Sequence, residues 1–419
     1  MNRSFELSGW AHNGPNSYRA NQMPDRTESQ DGTTDLIPDA RRWWPIALIA
    51  PAVFLIRLPG VAQAAWAWLW LPVGLALLVL LLRNREELHL SIGVVLFGGY
   101  LGYSALSLLW SPDPGRGLRF VGLVGVALLA FLYGRRIGPL GGGSHMWRVG
   151  LVSLGIALAG LVLFREPAPV GHLNPDRILA MGAIALAVLA WYGPRSRIYT
   201  LGVGLFALGI VLASGSRTAS VVMIVLLITA PGLRLPRTGR LVFGGSVVAL
   251  VLLLSITPAF QQRWFESGEG AFWDMATLED LETSGRTAVW PVIGDSCRNF
   301  VLGEGAGAAD SFAFETNQGF PEPHNEYLRI WCDTGLVGSV LFWGFVALVG
   351  SQALTGLRTS KRSWSHNAAA QMVVALLVLS ATDNPLTTAV PFMIPAALVV
   401  GWAEQSMRSA TDDPDDLGV

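Results

Sequence analysis

Apolar residues are grouped along the chain in runs long enough to cross a membrane, and short polar segments separate these runs. A helix needs about 20 such residues to cross a hydrocarbon core that is about 30 Å thick. The runs predict membrane spans at 43–58, 61–82, 90–110, 117–134, 149–164, 178–194, 198–214, 218–233, 241–258, 327–350, 368–383 and 387–404. The predicted fold class is therefore an all-α, polytopic integral membrane protein with about 12 transmembrane helices.

The division between two of these spans rests on length. Residues 198–233 hold a single charge, that of Arg217. One helix over this stretch would be about 54 Å long at 1.5 Å per residue, which exceeds the thickness of the core. The helix must therefore break, and Ser214-Gly215-Ser216-Arg217 is the polar place where it can do so.

Basic residues indicate the orientation of the chain. With both termini inside, the inside segments hold 19 of the 29 lysines and arginines, and the outside segments hold 10. This excess agrees with the positive-inside rule. The resulting prediction is a disordered cytoplasmic tail (1–42), a membrane domain (43–404) with a large, ordered loop on the outer side (259–326), and an acidic cytoplasmic tail (405–419).

Composition excludes several classes of protein. Charged residues make up 14% of the chain, against about 25% in soluble domains, and a net charge of −1 implies no nucleic-acid partner. Two cysteines are too few for a cysteine metal site.

Cys297 and Cys332 both fall on the outer side, but Cys332 lies within a predicted span. Its position argues against a disulfide and leaves the pairing open.

Polar residues that could perform chemistry lie at the outer ends of the spans. Ionisable groups are nearly absent from the middles of the spans, which argues against an ion-coupled transporter. The outer histidines, His172 and His324, stand at no metal-ligand spacing, so no metal site is predicted.

Two of the candidate segments contain an arginine beside a helix start. Ser216 can cap the helix that follows it, and the free amides there, together with Arg217, favour an anion. The alternative is that Arg217 only extends towards the membrane interface. Arg286 stands after a glycine and four residues before Trp290, which predicts another helix start; a salt bridge within the acidic loop is its alternative role.

The third candidate segment is Pro321-Glu322-Pro323-His324-Asn325-Glu326. Asn325 is a predicted helix cap, and the positive end of the helix dipole disfavours imidazolium at His324. His324 is therefore a candidate base, with a structural, hydrogen-bonded histidine as the alternative. Glu326, Arg329 and Asp333 have the spacing of an ion-pair ladder along one helix. Asp176 and Arg177 precede another span on the same side and are interpreted as helix-start residues.

Together these segments resemble the O-antigen ligase and polymerase family of the bacterial cell envelope, over roughly residues 90–405. The match is carried by Ser-Gly-Ser-Arg217, by Gly285-Arg286 with Trp290 and Gly303-Glu304-Gly305, and by His324-Asn325-Glu326-Tyr327-Leu328 with Gly335-Leu336-Val337-Gly338. Asn174-Pro175 is a looser fourth element.

The resemblance implies a glycosyltransferase of the inner membrane whose active site faces the periplasm. The donor would be a glycan on undecaprenyl diphosphate, the acceptor another glycan or lipid A–core, and no cofactor, metal or nucleotide sugar would be needed. Arg217 and Arg286 would bind the diphosphate, and His324 would act on the acceptor hydroxyl. Ser216, Asn325 and Arg177 are further candidates for substrate binding.

Chemistry agrees with these roles and leaves alternatives open. Guanidinium groups stay charged and bind phosphates bidentately, and a neutral histidine can accept a hydroxyl proton. Direct displacement would invert the anomeric centre, although the acidic loop leaves a covalent route open. A ligase, a polymerase, a protein O-oligosaccharyltransferase and a transporter or flippase remain as alternatives, and the sequence does not determine the sugar or the oligomeric state.

Overall fold

The computed structural model describes residues 65–83, 90–137, 148–159 without 149 and 157, 175–191, 197–214, 216–229, 237–256, 261, 286–316, 322–359, 364–387 and 390–412. Within these ranges the chain is helical with connecting turns, and it contains no β-strand. The predicted tail 1–42, the predicted span 43–58 and most of 259–285 lie outside the described residues.

The helices are numbered along the described chain. They are α1 (Ala65–Arg83), α2 (Ile92–Ser107), α3 (Pro114–Ile137), α4 (Pro175–Trp191), α5 (Arg197–Ser214), α6 (Arg217–Thr229), α7 (Arg237–Ser255), α8 (Arg286–Ser296), α9 (Ala308–Thr316), α10 (Glu326–Thr359), α11 (Trp364–Thr382) and α12 (Val390–Asp412). A short 3₁₀ turn, Leu108–Trp110, continues α2.

Four stretches of the described chain are long and apolar enough to cross a membrane. They are Ile92–Trp110, Pro114–Arg136, Glu326–Leu357 and Trp364–Thr382. Shorter apolar helices include Gly202–Ser214 and Arg217–Thr229. The all-helical membrane class is thus confirmed, whereas twelve spans and the orientation of the chain stay predictions. The predicted break is confirmed, because α5 ends at Ser214 and α6 begins at Arg217.

Glycines allow the two most closely packed helices, α3 and α12, to cross. A Cβ atom on Gly134 would lie 2.0 Å from the Leu398 carbonyl oxygen, and one on Gly401 would lie 2.1 Å from that of Phe131. Small residues of this kind let the backbones of membrane helices approach each other. Near this crossing Arg135 pairs with Glu404 at 3.2 Å, and both side chains are buried.

Helix α10 is interrupted at Gly335, where φ is 58° and ψ is −156°. Tyr327 and Trp343 would be about 24 Å apart along a straight helix, yet their rings stack with centroids 4.4 Å apart. The first part of α10 therefore folds back against the part that follows Gly335. The prediction of one straight span over 327–350 is therefore wrong, because the hydropathy of a sequence does not reveal that the chain reverses at a glycine.

Backbone carbonyl groups of the 299–307 segment accept hydrogen bonds from the amides that follow the break in α10 at Gly335. The amides of Leu336 and Val337 donate to the carbonyl oxygens of Phe300 and Val301 at 2.9 and 3.3 Å. These are amides that a new helix cannot satisfy within itself. A Cβ on Gly335 would lie 2.5 Å from the Val301 oxygen. The two glycine motifs of the sequence, around 303 and 335, therefore meet by close backbone contact.

Cys297 and Cys332 form a disulfide, with their Cα atoms 5.2 Å apart. The expectation against pairing was wrong because it rested on a straight span. The reversal at Gly335 brings the first part of α10 beside the end of α8, and this contact places the two thiols together. The disulfide ties α8, which begins at Arg286, to α10.

The predicted ion-pair ladder along α10 is only partly present. Arg329 lies 2.6 Å from Asp310 on α9 and 3.8 Å from Glu326. Asp333 instead accepts the backbone amides of Gly307 and Ala309, at 3.0 and 2.8 Å. Buried carboxylates thus fix the turn before α9 and connect α9 to α10.

Candidate active site

The end of α11 and the residues after it, segment 382–384, join the three motifs that the sequence singles out. Thr382 contacts the start of α6 and the start of α8, and Asp383 contacts His324. These motifs lie far apart in the chain, and α11 carries the residues that collect them. The three motifs therefore meet at one end of the helix bundle.

Arg286 is the first residue of α8, as its motif predicts. Its Nη1 donates a short hydrogen bond to the carbonyl oxygen of Thr382, and its side chain is half-buried. Its charge also acts on the carboxylate of Asp383. Arg286 therefore places positive charge at the end of α11. The acidic residues of the predicted loop, between 266 and 282, lie outside the described residues, so the alternative of a salt bridge with them stays a prediction.

Arg217 is the first residue of α6, and its side chain is half-buried. The next residue, Thr218, lies 2.8 Å from Thr382 through their hydroxyl oxygens. Ser216 caps the helix as predicted, with its Oγ accepting the amide of Ala219 at 3.4 Å. The positive end of α6 thus faces the segment that Arg286 and His324 contact.

His324 lies just before α10 in a left-handed backbone conformation, with φ of 50°. Few residues other than glycine adopt this conformation, and such strain concentrates at functional sites. The Trp290 indole donates to the carbonyl of the preceding Pro323 at 2.8 Å. Asn325 is the predicted cap, and its Oδ1 accepts the amide of Leu328 at 3.0 Å. The His324 backbone is therefore held from α8 and from α10.

The imidazole of His324 is buried, and its Nδ1 lies 3.4 Å from Oδ1 of Asp383. Burial raises the pKa of Asp383, but the hydrogen bond and charge of His324 and the charge of Arg286 outweigh burial. The pKa of Asp383 therefore lies below its usual value, and the group is a carboxylate at neutral pH. A carboxylate accepts a hydrogen bond from Nδ1–H, and in a neutral ring this leaves the lone pair on Nε2.

Further buried polar groups surround this pair. Asn384 donates from Nδ2 to Oε2 of Glu322 at 3.3 Å, and the amide of Leu386 donates to Oε2 of Glu326 at 3.2 Å. Deeper in the protein, burial and the charge of Glu322 raise the pKa of Asp310 against the opposing charge of Arg329. The wall behind His324 is thus acidic, whereas Arg286 approaches from α8.

The position of the site along the candidate span α11 can be inferred from Tyr327, which comes three residues after His324. Its hydroxyl donates to the carbonyl oxygen of Leu377 at 3.0 Å. Leu377 lies more than one turn before the end of α11. Because α11 is a candidate span, the His324 segment is close to the level at which that span ends.

The sequence missed Thr382, Asp383, Asn384 and Glu322 as members of the site. A signal was present, since Asp383 is the last residue of the predicted span 368–383 and Asn384 follows it, on the same side as His324. Arg177 lies in the first turn of α4. A Cβ on Gly182 of that helix would be 2.9 Å from Pro391, near the start of α12. The helix start is therefore at the end of the bundle that holds the site, but the Arg177 side chain lies outside the described residues.

Residues 201–343 match the family model described as O-antigen ligase. The predicted resemblance to the O-antigen ligase family is confirmed. The O-antigen ligase match includes Arg217, Arg286 and His324, while Asp383 lies beyond its end. No curated protein sequence matches the chain.

Proposed function

We propose that the protein transfers a glycan from undecaprenyl diphosphate to an acceptor hydroxyl at the periplasmic face of the bacterial inner membrane. The observation that carries this proposal is the convergence on segment 382–384, where Arg286, His324 and the start of α6 meet. This arrangement combines positive charge for a diphosphate with a base for a hydroxyl. The acceptor is either another glycan or lipid A–core.

The diphosphate is proposed to lie between the starts of α6 and α8. Arg217 and Arg286 each begin one of these helices, so two guanidinium groups and two positive helix ends act together. Guanidinium groups bind phosphate oxygens through paired hydrogen bonds. As the glycosyl bond breaks, charge develops on the leaving diphosphate, and these groups stabilise it without a change in their own protonation.

His324 is proposed to be the general base. The acceptor oxygen attacks the anomeric carbon and forms the new glycosidic bond, while the bond from that carbon to the diphosphate oxygen breaks. The hydroxyl proton passes to Nε2 of His324, and the electron pair of the broken bond leaves with undecaprenyl diphosphate. One displacement of this kind inverts the anomeric centre. The carboxylate of Asp383 stabilises the imidazolium that forms.

The disulfide supports the proposed orientation. Disulfides persist in oxidising compartments and are rare in the cytosol. Cys297 follows α8, and Cys332 lies on the first part of α10, so the bond is at the end of the protein that holds His324. The same end is predicted to be outside from the distribution of basic residues.

The interior of the helix bundle gives less support to the alternative of a transporter or flippase. A cavity between α2, α10, α11 and α12 is lined by apolar side chains, including Phe97, Phe345, Met372 and Met393. A glycan needs hydrogen-bonding partners along its path, and this cavity offers none from its lining. The polar groups around segment 382–384 lie instead at one end of the bundle, where the transferase site is proposed.

A reconstitution experiment tests the proposal. The full-length protein in lipid vesicles is given a synthetic undecaprenyl diphosphate-linked glycan together with either lipid A–core or a second donor molecule. Release of undecaprenyl diphosphate with a new glycosidic bond is the expected result, and the acceptor that works separates ligase from polymerase. Movement of intact donor across the vesicle membrane without release would favour a flippase and overturn the proposal.

A deletion strain gives a second readout. Accumulation of a free lipid-linked polymer indicates a missing ligase, and a single repeat unit indicates a missing polymerase. A wild-type envelope glycan profile would contradict both.

A further inference from the structure

The turn between α8 and α9 exposes three consecutive apolar residues, Phe300, Val301 and Leu302, here called the 300–302 tip. Their exposed fractions are 62%, 43% and 46%. The sequence places them in a loop that was predicted to lie in water. Exposure of contiguous large apolar side chains in water is unfavourable and marks an interaction surface.

The tip lies beside the end of α2 and, through the bonds from the Leu336 and Val337 amides, beside α10 just after its break. The hydroxyl of Tyr103 on α2 donates to the carbonyl oxygen of Leu302 at 2.8 Å, and the Trp110 indole donates to that of Gly303 at 3.2 Å. Tyr103 stands four residues before the end of α2, a rise of about 6 Å. The tip is therefore level with the last turn of a candidate span.

Exposed apolar side chains continue from the tip onto both helices. Leu106 and Leu109 lie at the end of α2, and Leu336 and Val340 lie on α10 just after its break; all four are exposed. Tyrosine and tryptophan are the residues enriched where membrane helices leave the hydrocarbon core. The tip thus extends a surface that already faces lipid if the two helices cross the membrane.

The backbone of the tip is suited to an apolar environment. The carbonyl oxygens of Phe300, Val301 and Leu302 accept hydrogen bonds from Leu336, Val337 and Tyr103 respectively. Irregular backbone can lie at membrane depth only where its polar groups are bonded within the protein. The exposed Arg298 precedes the tip and can reach lipid phosphates.

We infer that the 300–302 tip inserts into the outer boundary of the bilayer, with lipid acyl chains as its partner. The tip follows α8 closely in the chain, and the Cys297–Cys332 disulfide joins the end of α8 to α10. The inserted tip therefore holds α8, and with it Arg286, at a fixed height relative to the lipid headgroups. The inference concerns the membrane contact alone and does not depend on the proposed transferase activity.

Site-directed labelling tests this inference. The two cysteines of the chain are bonded to each other, so one introduced cysteine is the only thiol for a nitroxide label. Phe300→Cys and, separately, Leu302→Cys are labelled in the full chain without reduction. The proteins are placed in nanodiscs of phosphatidylethanolamine and phosphatidylglycerol. The collision rates of the label with oxygen and with a water-soluble nickel complex are then measured.

Two control variants provide the reference collision rates. Val340→Cys on α10 gives the value for lipid contact, and Asp295→Cys on the exposed face of α8 gives the value for water. The expected ratio of oxygen to nickel collisions at 300 and 302 matches that at 340 and exceeds that at 295. A ratio equal to that at 295 overturns the inference. Low collision rates with both reagents would mean that protein covers the tip, and this also overturns it.

Discussion

His324 Nδ1 lies 3.4 Å from Asp383 Oδ1, although 59 residues separate the two in the chain. The carboxylate fixes which ring nitrogen carries the proton, and Arg286 contacts the adjacent carbonyl of Thr382. The proposed base and one proposed diphosphate ligand are thus joined through a single segment. Movement of that segment would disturb both functions at once.

Replacement of the carboxylate tests its positioning role. Asp383→Asn is expected to lower the turnover number roughly 10- to 100-fold, since partners that orient a functional histidine contribute on that order. The KM for the donor should also stay close to its wild-type value, because Arg217 and Arg286 are proposed to bind the diphosphate. Asp295→Asn, on the exposed face of α8, is the matched control and should leave both unchanged. A turnover number that stays at the wild-type value in Asp383→Asn would leave Asp383 with a structural role only.

Stability should depend on pH through the same carboxylate. The pKa of Asp383 is lower in the folded protein than its ordinary value, which is about 3.9 when unfolded. The contribution of Asp383 to the free energy of unfolding is therefore complete above the unfolded-state pKa. It is lost as the pH falls through the lower, folded-state pKa. Melting temperatures of wild type and Asp383→Asn in detergent should differ at neutral pH and converge in strong acid. A constant difference down to strong acid would contradict this linkage.

Arg286→Lys tests whether a guanidinium is required. A lysine keeps the charge but cannot form paired hydrogen bonds. Loss of one hydrogen bond to a charged group costs about 1.5–3 kcal/mol, or roughly a 10- to 150-fold loss in kcat/KM. Arg298→Ala removes an exposed charge from the same loop and should have a mild effect. Equal losses in the two variants would show that only the bulk charge of the loop matters.

His324→Gln tests the base. Glutamine can donate a hydrogen bond to Asp383 but cannot accept the acceptor proton as imidazole does, and general-base catalysis contributes about 10²- to 10⁴-fold. Transfer should fall within that range while donor binding persists. His324→Asn is the second variant, because asparagine tolerates the positive φ of this position. Near-normal turnover in a folded His324→Gln protein would eliminate the base assignment.

Gly335→Ala should destabilise the protein. The added Cβ would lie 2.5 Å from backbone atoms of Gly303 and Val301, and the backbone conformation, with φ of 58° and ψ of −156°, is nearly confined to glycine and alone costs about 1–3 kcal/mol. Thermal unfolding in detergent should show a lowered midpoint. Gly98→Ala is the matched control, because a Cβ there meets nothing within 4 Å. Equal midpoints for both variants would mean that the break at Gly335 is not needed for the fold.

The orientation can be tested independently of activity. Reporter fusions at Leu235 and Gly270 should give signals from opposite sides of the membrane, the first inside and the second outside. The Cys297–Cys332 disulfide should form in cells only if its end of the protein faces the oxidising compartment. Signals from the same side would contradict the twelve-span prediction.

Hydropathy and helix-start chemistry were sufficient to predict much of the architecture. The candidate spans of the described chain are apolar over a length that a bilayer requires, so their existence is encoded locally. The break at Ser214, the helix starts at Arg217 and Arg286, and the cap at Asn325 follow from turn and capping preferences of adjacent residues. The family resemblance was carried by local motifs of the same kind.

Contacts between distant segments required the tertiary structure. The reversal at Gly335 depends on carbonyl groups of Phe300 and Val301, and the pairing of Cys297 with Cys332 depends on that reversal. Asp383 becomes part of the site only because α11 ends beside His324. A linear pattern specifies which residues are apolar or charged, but the packing of helices decides which charges meet, since that depends on contacts made across the whole bundle.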